Sequence, residues 1–121
     1  TAMVDYLAGN YDLALAGFQE FVTKYPNDPR AAEGQLYRGE AFFNQKKFDQ
    51  AVIEYDTFLQ KYPENDKTRT ALYKKGLALA EQNQKQPALV ALDKVIKDFP
   101  NTSEATNAQA KARELRGPVK R

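Results

Sequence analysis

Histidine, cysteine and tryptophan are all missing from this 121-residue chain, and methionine occurs once. Without histidine or cysteine it cannot build a zinc finger, an iron–sulfur centre or an imidazole-based catalytic triad. The missing cysteines leave the redox compartment open, since proteins of reducing and oxidising compartments can both lack them. No apolar run approaches the ~20 residues of a membrane span, and none has the pattern of a secretory signal. Charge of one sign is also lacking, because 18 basic residues against 16 acidic ones leave +2. A nucleic-acid binder concentrates basic charge on one face, so no nucleic-acid partner is expected. A chain of this length buries roughly two thirds of its unfolded surface, enough for one domain or a short array without disulfide or metal.

What the chain does have is a period. Pro26, Pro63 and Pro100 stand 37 residues apart, each behind an aromatic residue, Tyr25, Tyr62 and Phe99. The same shift superposes Ala14, Ala51 and Ala88, then Phe18, Tyr55 and Leu92, then Phe21, Phe58 and Val95. It also superposes Val22, Leu59 and Ile96, and brings Gly76 onto Gly39 and Ala2. Self-similarity at a fixed period of this size marks a stack of supersecondary units.

Each unit reads as two helices. From Phe48 to Tyr62, apolar residues fall at 48, 51, 52, 55, 58, 59 and 62, the three- and four-residue steps of one helical face. A preceding helix over about 29–45 starts behind Asp28 as N-cap, with Pro29 at its first position. The polar breaks Asn44–Lys47 and Asn83–Gln86 are short, which favours antiparallel neighbours, and Pro87 suits the first turn of the next helix. At the joints, proline disfavours helix in the residue before it, and Asp, Asn or Ser caps the helix that follows. Asn101 with Glu104 has the spacing of a capping box. The segment from about Thr102 to Leu115 alternates alanines with polar residues, as a closing helix would, and Gly117-Pro118 ends it.

These features resemble the tetratricopeptide repeat, a helix–turn–helix of ~34 residues with a small residue, aromatics, an alanine and a closing proline at set places. Gly39, Phe42, Phe48, Ala51, Tyr55 and Pro63 fill those places in the second unit. The third keeps Gly76, Ala88 and Pro100 but has Leu79, Lys85 and Leu92 at the aromatic places. The first enters late, with Tyr11, Ala14, Phe18 and Pro26. Gln35 and Arg38 replace large apolar residues of the repeat pattern, and apolar mass moves beside them to Leu36 and Tyr37. The implied fold is all-α, a superhelical solenoid of about three units (1–26, 27–63, 64–100) plus a capping helix over 102–115. Together these make one repeat domain over 1–116, followed by a basic tail, 117–121.

Chemistry is sparse. No phosphate-cradling glycine loop, nucleophile elbow or metal-ligand cluster occurs, so no enzyme activity, metal or cofactor is expected. Carboxylate pairs such as Glu54 with Asp56, or Asp5 with Asp12, read as solvated surface. Residues 110–121 sum to +4 and the remainder to −2, a balance that suits a helix C-terminus.

In tetratricopeptide arrays the first helix of each unit lines a groove, and the resemblance assigns partner contacts to fixed places. Here these are Met3, Tyr6 and Leu7, then Glu33, Leu36, Glu40, Phe43 and Asn44, then Thr70, Tyr73, Leu77, Ala80 and Glu81. An apolar, aromatic lining with a few carboxylates suits an extended or helical peptide, and the competing reading of Leu36 and Phe43 is core. Lys74 and Lys75 fall off the contact places, so no cationic clamp for a C-terminal carboxylate is expected. The face around Val4, Tyr6, Leu7 and Tyr11 is a second candidate surface, for self-association.

The joints Tyr25-Pro26-Asn27-Asp28-Pro29 and Phe99-Pro100-Asn101-Thr102-Ser103, with Gly39-Glu40-Ala41-Phe42-Phe43 and Lys75-Gly76-Leu77-Ala78-Leu79-Ala80, narrow the likeness. They resemble the C-terminal repeat domain of the Tol-Pal system family YbgF/CpoB. That resemblance implies a periplasmic, non-catalytic scaffold. Family members oligomerise through an N-terminal coiled coil, bind TolA, and coordinate outer-membrane constriction with septal peptidoglycan synthesis. The outer-membrane assembly lipoprotein BamD has similar joints and stands second, because members like it carry more units and a lipidated cysteine.

Overall fold

The computed structural model describes residues 1–117, and the rest of the basic tail, including Lys120 and Arg121, lies outside them. The described residues form seven α-helices and no strand. They are α1 (Ala2–Leu7), α2 (Tyr11–Lys24), α3 (Pro29–Asn44), α4 (Phe48–Lys61), α5 (Thr68–Glu81), α6 (Lys85–Asp98) and α7 (Ser103–Arg116). Each helix packs on the next in sequence, and α7 also touches α5, so it occupies the place of a further unit's first helix.

The punctuation repeats as closely as the sequence does. Gly9, Lys46 and Asn83, one period apart, all adopt positive φ just past α1, α3 and α5. Behind each, a backbone N–H reaches five residues back, from Asn10 to Asp5, Lys47 to Phe42 and Gln84 to Leu79, satisfying a carbonyl at the helix end. Tyr25, Tyr62 and Phe99 end the second helices with nearly identical torsions near φ −130°, set by the proline that follows. Asp28 caps α3 by accepting from the Arg30 N–H at 2.9 Å. At α7 the cap is Thr102, whose Oγ1 accepts from the Ala105 N–H at 3.1 Å, rather than Asn101. Asn101 instead takes the left-handed conformation in the joint, which an asparagine tolerates well.

Small residues set the helix spacing. A Cβ on Gly39 would meet the Tyr55 ring at 2.6 Å, and one on Gly76 would meet Leu92 at 2.8 Å. Tyr55, Phe58, Leu92 and Val95 are the largest fully buried side chains, each worth about 1.5–3 kcal/mol of burial. They belong to two apolar clusters, one around α3, α4 and the start of α5, the other joining α5 and α6 to Ala105, Ala108 and Ala112 of α7.

Within the second unit the interior is partly polar. Gln35 is 3 % exposed, and its amide donates to the Glu54 backbone carbonyl and to Glu54 Oε1, both at 2.9 Å. Arg38 pairs with Glu54 at 2.9 Å and donates to the Leu15 carbonyl at 3.0 Å, tying α2, α3 and α4 together. Glu54 is therefore a half-buried partner, not the solvated carboxylate that its charge suggested. Gln35 and Arg38 keep the core-facing places of the repeat because Glu54 meets them there.

Candidate partner-binding groove

The first helices α1, α3 and α5, with α7 beside them, are linked by a row of side chains. Between α1 and α3, Asn44 Nδ2 donates to the Tyr6 hydroxyl at 3.0 Å. The Tyr6 ring packs edge-on against Tyr11, Phe18 and Tyr37, with centroids 5.8, 6.5 and 5.0 Å away. Burial, followed by the nearby Glu40 carboxylate, raises the Tyr6 pKa, so its hydroxyl keeps its proton.

Glu40 is the hub between α3, α4 and α5. One of its oxygens accepts from the buried Tyr55 hydroxyl, and the other lies 3.7 Å from Lys74 Nζ. Burial comes first, and Glu40 second, in raising the Tyr55 pKa far above its ordinary value. Lys74 Nζ also sits 4.9 Å from the centre of the half-buried Phe43 ring, a cation–π contact, and Phe43 packs edge-on against Phe48.

Further along, Thr70 donates to Glu104 of α7 at 2.9 Å, and Arg69 Nε lies 3.4 Å from the other oxygen of that carboxylate. Burial alone would raise the Glu104 pKa, but its hydrogen bonds and Arg69 outweigh this and hold it low. Tyr73 is half-buried, and burial raises its pKa against the pull of Lys111.

The thirteen residues assigned from the repeat places therefore separate. Tyr6, Glu40, Phe43 and Asn44 form one connected centre, and Thr70 with Tyr73 continues it toward α7. Half-buried Leu77 and Ala80, with exposed Glu81, continue the α5 helix, while Leu7 is 75 % exposed on α1. Met3 and Glu33 line a separate apolar cleft of about 480 Å³ at the start of the array. Leu36 is a correction. It is 4 % exposed and packs with Ala32, Tyr55 and Phe58, so it is core and not surface.

Three participants escaped the assignment by place. Lys74 reaches into the centre of this face, and Glu104 and Lys111 come from the capping helix. The signal was present, since the 37-residue shift aligns Tyr37, Lys74 and Lys111 in one column. Among the described residues, no cluster of three or more acidic side chains is arranged to hold a metal ion.

This geometry defines a tetratricopeptide-type solenoid, and solved structures agree. The chain is similar to the Arabidopsis OM64 TPR domain, at 17% identity with TM-score 0.77, covering 93% of this chain and 88% of that one. It is similar to the TPR2B domain of yeast Sti1 in its complex with an Hsp70 peptide, at 19% identity and TM-score 0.77, covering 95% and 90%. A second TPR domain of human RPAP3, solved with the HSP70 peptide SGPTIEEVD, gives 14% identity and TM-score 0.78, covering 97% and 90%. No curated protein sequence matches the chain. The family model described as YfiO, outer membrane lipoprotein, matches residues 1–119, and the chain belongs to that family. The ordering of the two envelope resemblances is thereby changed, with the outer-membrane lipoprotein now first. Among the described residues, no helix is long and apolar enough to cross a membrane.

Proposed function

We propose that this chain is a non-catalytic scaffold of the bacterial cell envelope that holds a segment of a protein partner against the face of α1, α3, α5 and α7. The observation that carries the reading is the connected centre of that face, where half-buried Tyr6, Phe43 and Tyr73 sit among Glu40, Asn44 and Lys74. Partly buried aromatics beside a few fixed polar groups are what a peptide groove uses for affinity and register. The structural neighbours include repeat domains bound to Hsp70 peptides. Here Lys74 is engaged by Glu40 and Phe43, which favours an internal partner segment over an acidic C-terminal tail.

Two envelope settings compete for the partner's identity. Membership of an outer membrane lipoprotein family supports an assembly role of the BamD-like kind. The joints and the 37-residue period support the Tol-Pal reading, with TolA as partner, a periplasmic location and a link to the peptidoglycan synthesis machinery. Titration with a TolA fragment separates them, and a pull-down from periplasmic extract identifies whichever partner binds. Phe43→Ala and Tyr73→Ala are each expected to weaken binding about tenfold or more without unfolding the chain. Binding that survives both substitutions unchanged rejects this face as the site.

A further inference from the structure

The places assigned to partner contacts hold three carboxylates, Glu33, Glu40 and Glu81, and no lysine or arginine. The cations that reach the face from other places are each matched within the chain, Lys74 by Glu40, Arg69 by Glu104 and Lys111 by Glu114. Glu81 is exposed and makes no ion pair among the described residues. The charge left over for a partner is therefore negative, and the complementary partner segment is basic.

At the centre of the face, the two halves of the Glu40–Lys74 pair are held unequally. The Glu40 side chain is 17% exposed and accepts from the Tyr55 hydroxyl, whose ring is fully buried and wedged against Gly39. That carboxylate is fixed. The Lys74 side chain is 29% exposed, and its ammonium stands 3.7 Å from Glu40, beyond hydrogen-bond distance. By contrast, the adjacent Lys75 holds Asp56 at 2.6 Å. Lys74 is thus the displaceable half. What it occupies is a fixed carboxylate beside the Phe43 ring, whose centre lies 4.9 Å from the ammonium, and such a pair of groups binds a cation.

We propose that Glu40 and Phe43 form a receptor for an arginine side chain of the partner segment, which takes the place of the Lys74 ammonium. The proposal rests on the reading of this face as a peptide groove and names the residue that the groove selects. A guanidinium suits the place better than an ammonium, because its planar fork matches a carboxylate and stacks on an aromatic ring. Lys74 moves out to solvent at small cost, since a loose and partly exposed ion pair contributes little. Apolar residues flanking the arginine meet the half-buried rings of Tyr6 and Tyr73. The resident lysine thereby becomes a competitor that the right partner must displace, and Glu40 the residue that rejects an acidic one.

The probes are four blocked peptides, Leu-Ala-X-Ala-Leu with X arginine, lysine, citrulline or glutamate, titrated into the isotope-labelled 121-residue chain. The arginine peptide should give saturable amide shifts centred on Glu40, Phe43 and Lys74. As it binds, the Lys74 side-chain protons should leave the ring current of Phe43. Citrulline keeps the shape of arginine without its charge and should bind at least about tenfold more weakly, with lysine between the two and glutamate last. Lys74→Ala removes the competitor and should tighten the arginine peptide severalfold. Glu40→Gln keeps an acceptor for the Tyr55 hydroxyl and should bring arginine and citrulline to equal affinity, with helix content by circular dichroism unchanged. Tighter binding of the glutamate peptide, or weaker binding of the arginine peptide to Lys74→Ala, overturns the proposal and makes Lys74 the anchor of an acidic partner. Absence of shifts with the arginine peptide at about 10 mM overturns it as well. Equal binding of all four peptides at Phe43 and Tyr73 overturns it but keeps the face as a groove. Saturable shifts elsewhere that Phe43→Ala leaves untouched reject the groove too.

Discussion

Where the first helix of a unit crosses its partner, the second unit sets Gln35 against Glu54, and the third sets Leu72 against Ala91. The neighbouring pair follows suit, with Arg38 bound to Glu54 in one unit and Lys75 turned to Asp56 of the preceding helix in the other. One backbone arrangement is thus held by hydrogen bonds in the middle of the array and by hydrocarbon at its end. The polar solution is the more brittle of the two. A buried polar group is tolerable only while every partner is present.

The largest effect follows directly. Glu54→Ala leaves the Gln35 amide and the Arg38 guanidinium, whose side chain is 15% exposed, without their carboxylate, and should cost about 3–5 kcal/mol in urea unfolding. Converting the unit fully, with Gln35→Leu, Arg38→Met and Glu54→Ala, should bring stability back to within about 1 kcal/mol of the starting chain or above it. If the triple variant stays as unstable as the single one, the two solutions are not interchangeable and the comparison fails.

Gly39→Ala and Gly76→Ala test the same contrast at the helix crossings. The first drives a methyl into the Tyr55 ring, which its hydroxyl ties to Glu40, and should cost about 1–3 kcal/mol. The second meets Leu92 Cδ2 and Cγ at 2.8 and 2.9 Å, on an aliphatic side chain that no hydrogen bond ties in place, and should cost less. Equal losses would show that ring anchoring is irrelevant.

Tyr55→Phe removes one hydrogen bond to a carboxylate and should cost about 1.5–3 kcal/mol at neutral pH. It should also flatten the alkaline limb. Because the folded state raises the Tyr55 pKa, that group's contribution is fully present below the unfolded value near 10 and is lost as pH rises above it. Tyr6 and Tyr73, raised in the same direction, leave a residual slope in the variant. A variant whose stability falls as steeply above pH ~10 as the parent's would remove Tyr55 as a source. The smallest effect belongs to the exposed pair Arg116–Asp93, where Arg116→Ala should change stability by less than about 1 kcal/mol.

The period and the proline joints made the helix order legible in the sequence, because turns and caps are written in a few local residue types. Thr102 displaced Asn101 as the cap of α7 because the two are adjacent and both able to cap, so composition does not choose between them. Leu36 was harder. Its burial depends on Gln35 and Arg38 staying inward, which depends on Glu54 some sixteen to nineteen residues away. Pairings across helices leave no local trace. The same holds at the candidate site, where Tyr6, Phe43 and Tyr73 were readable as aromatics at contact places, whereas the column that holds Lys74 shows its register but not its neighbours. Its position became a site position through Glu40 and Phe43 on the neighbouring helix.

The three matched turns carry a different consequence. Gly9, Lys46 and Asn83 occupy the same left-handed place, and only Lys46 has a side chain poorly suited to it. Lys46→Asn or Lys46→Gly relieves that strain at an exposed residue which makes no ion pair among the described residues. The middle turn is therefore a place to raise the array's thermal ceiling while the faces offered to partners keep their residues, so that any change in recognition can be read apart from a change in folding.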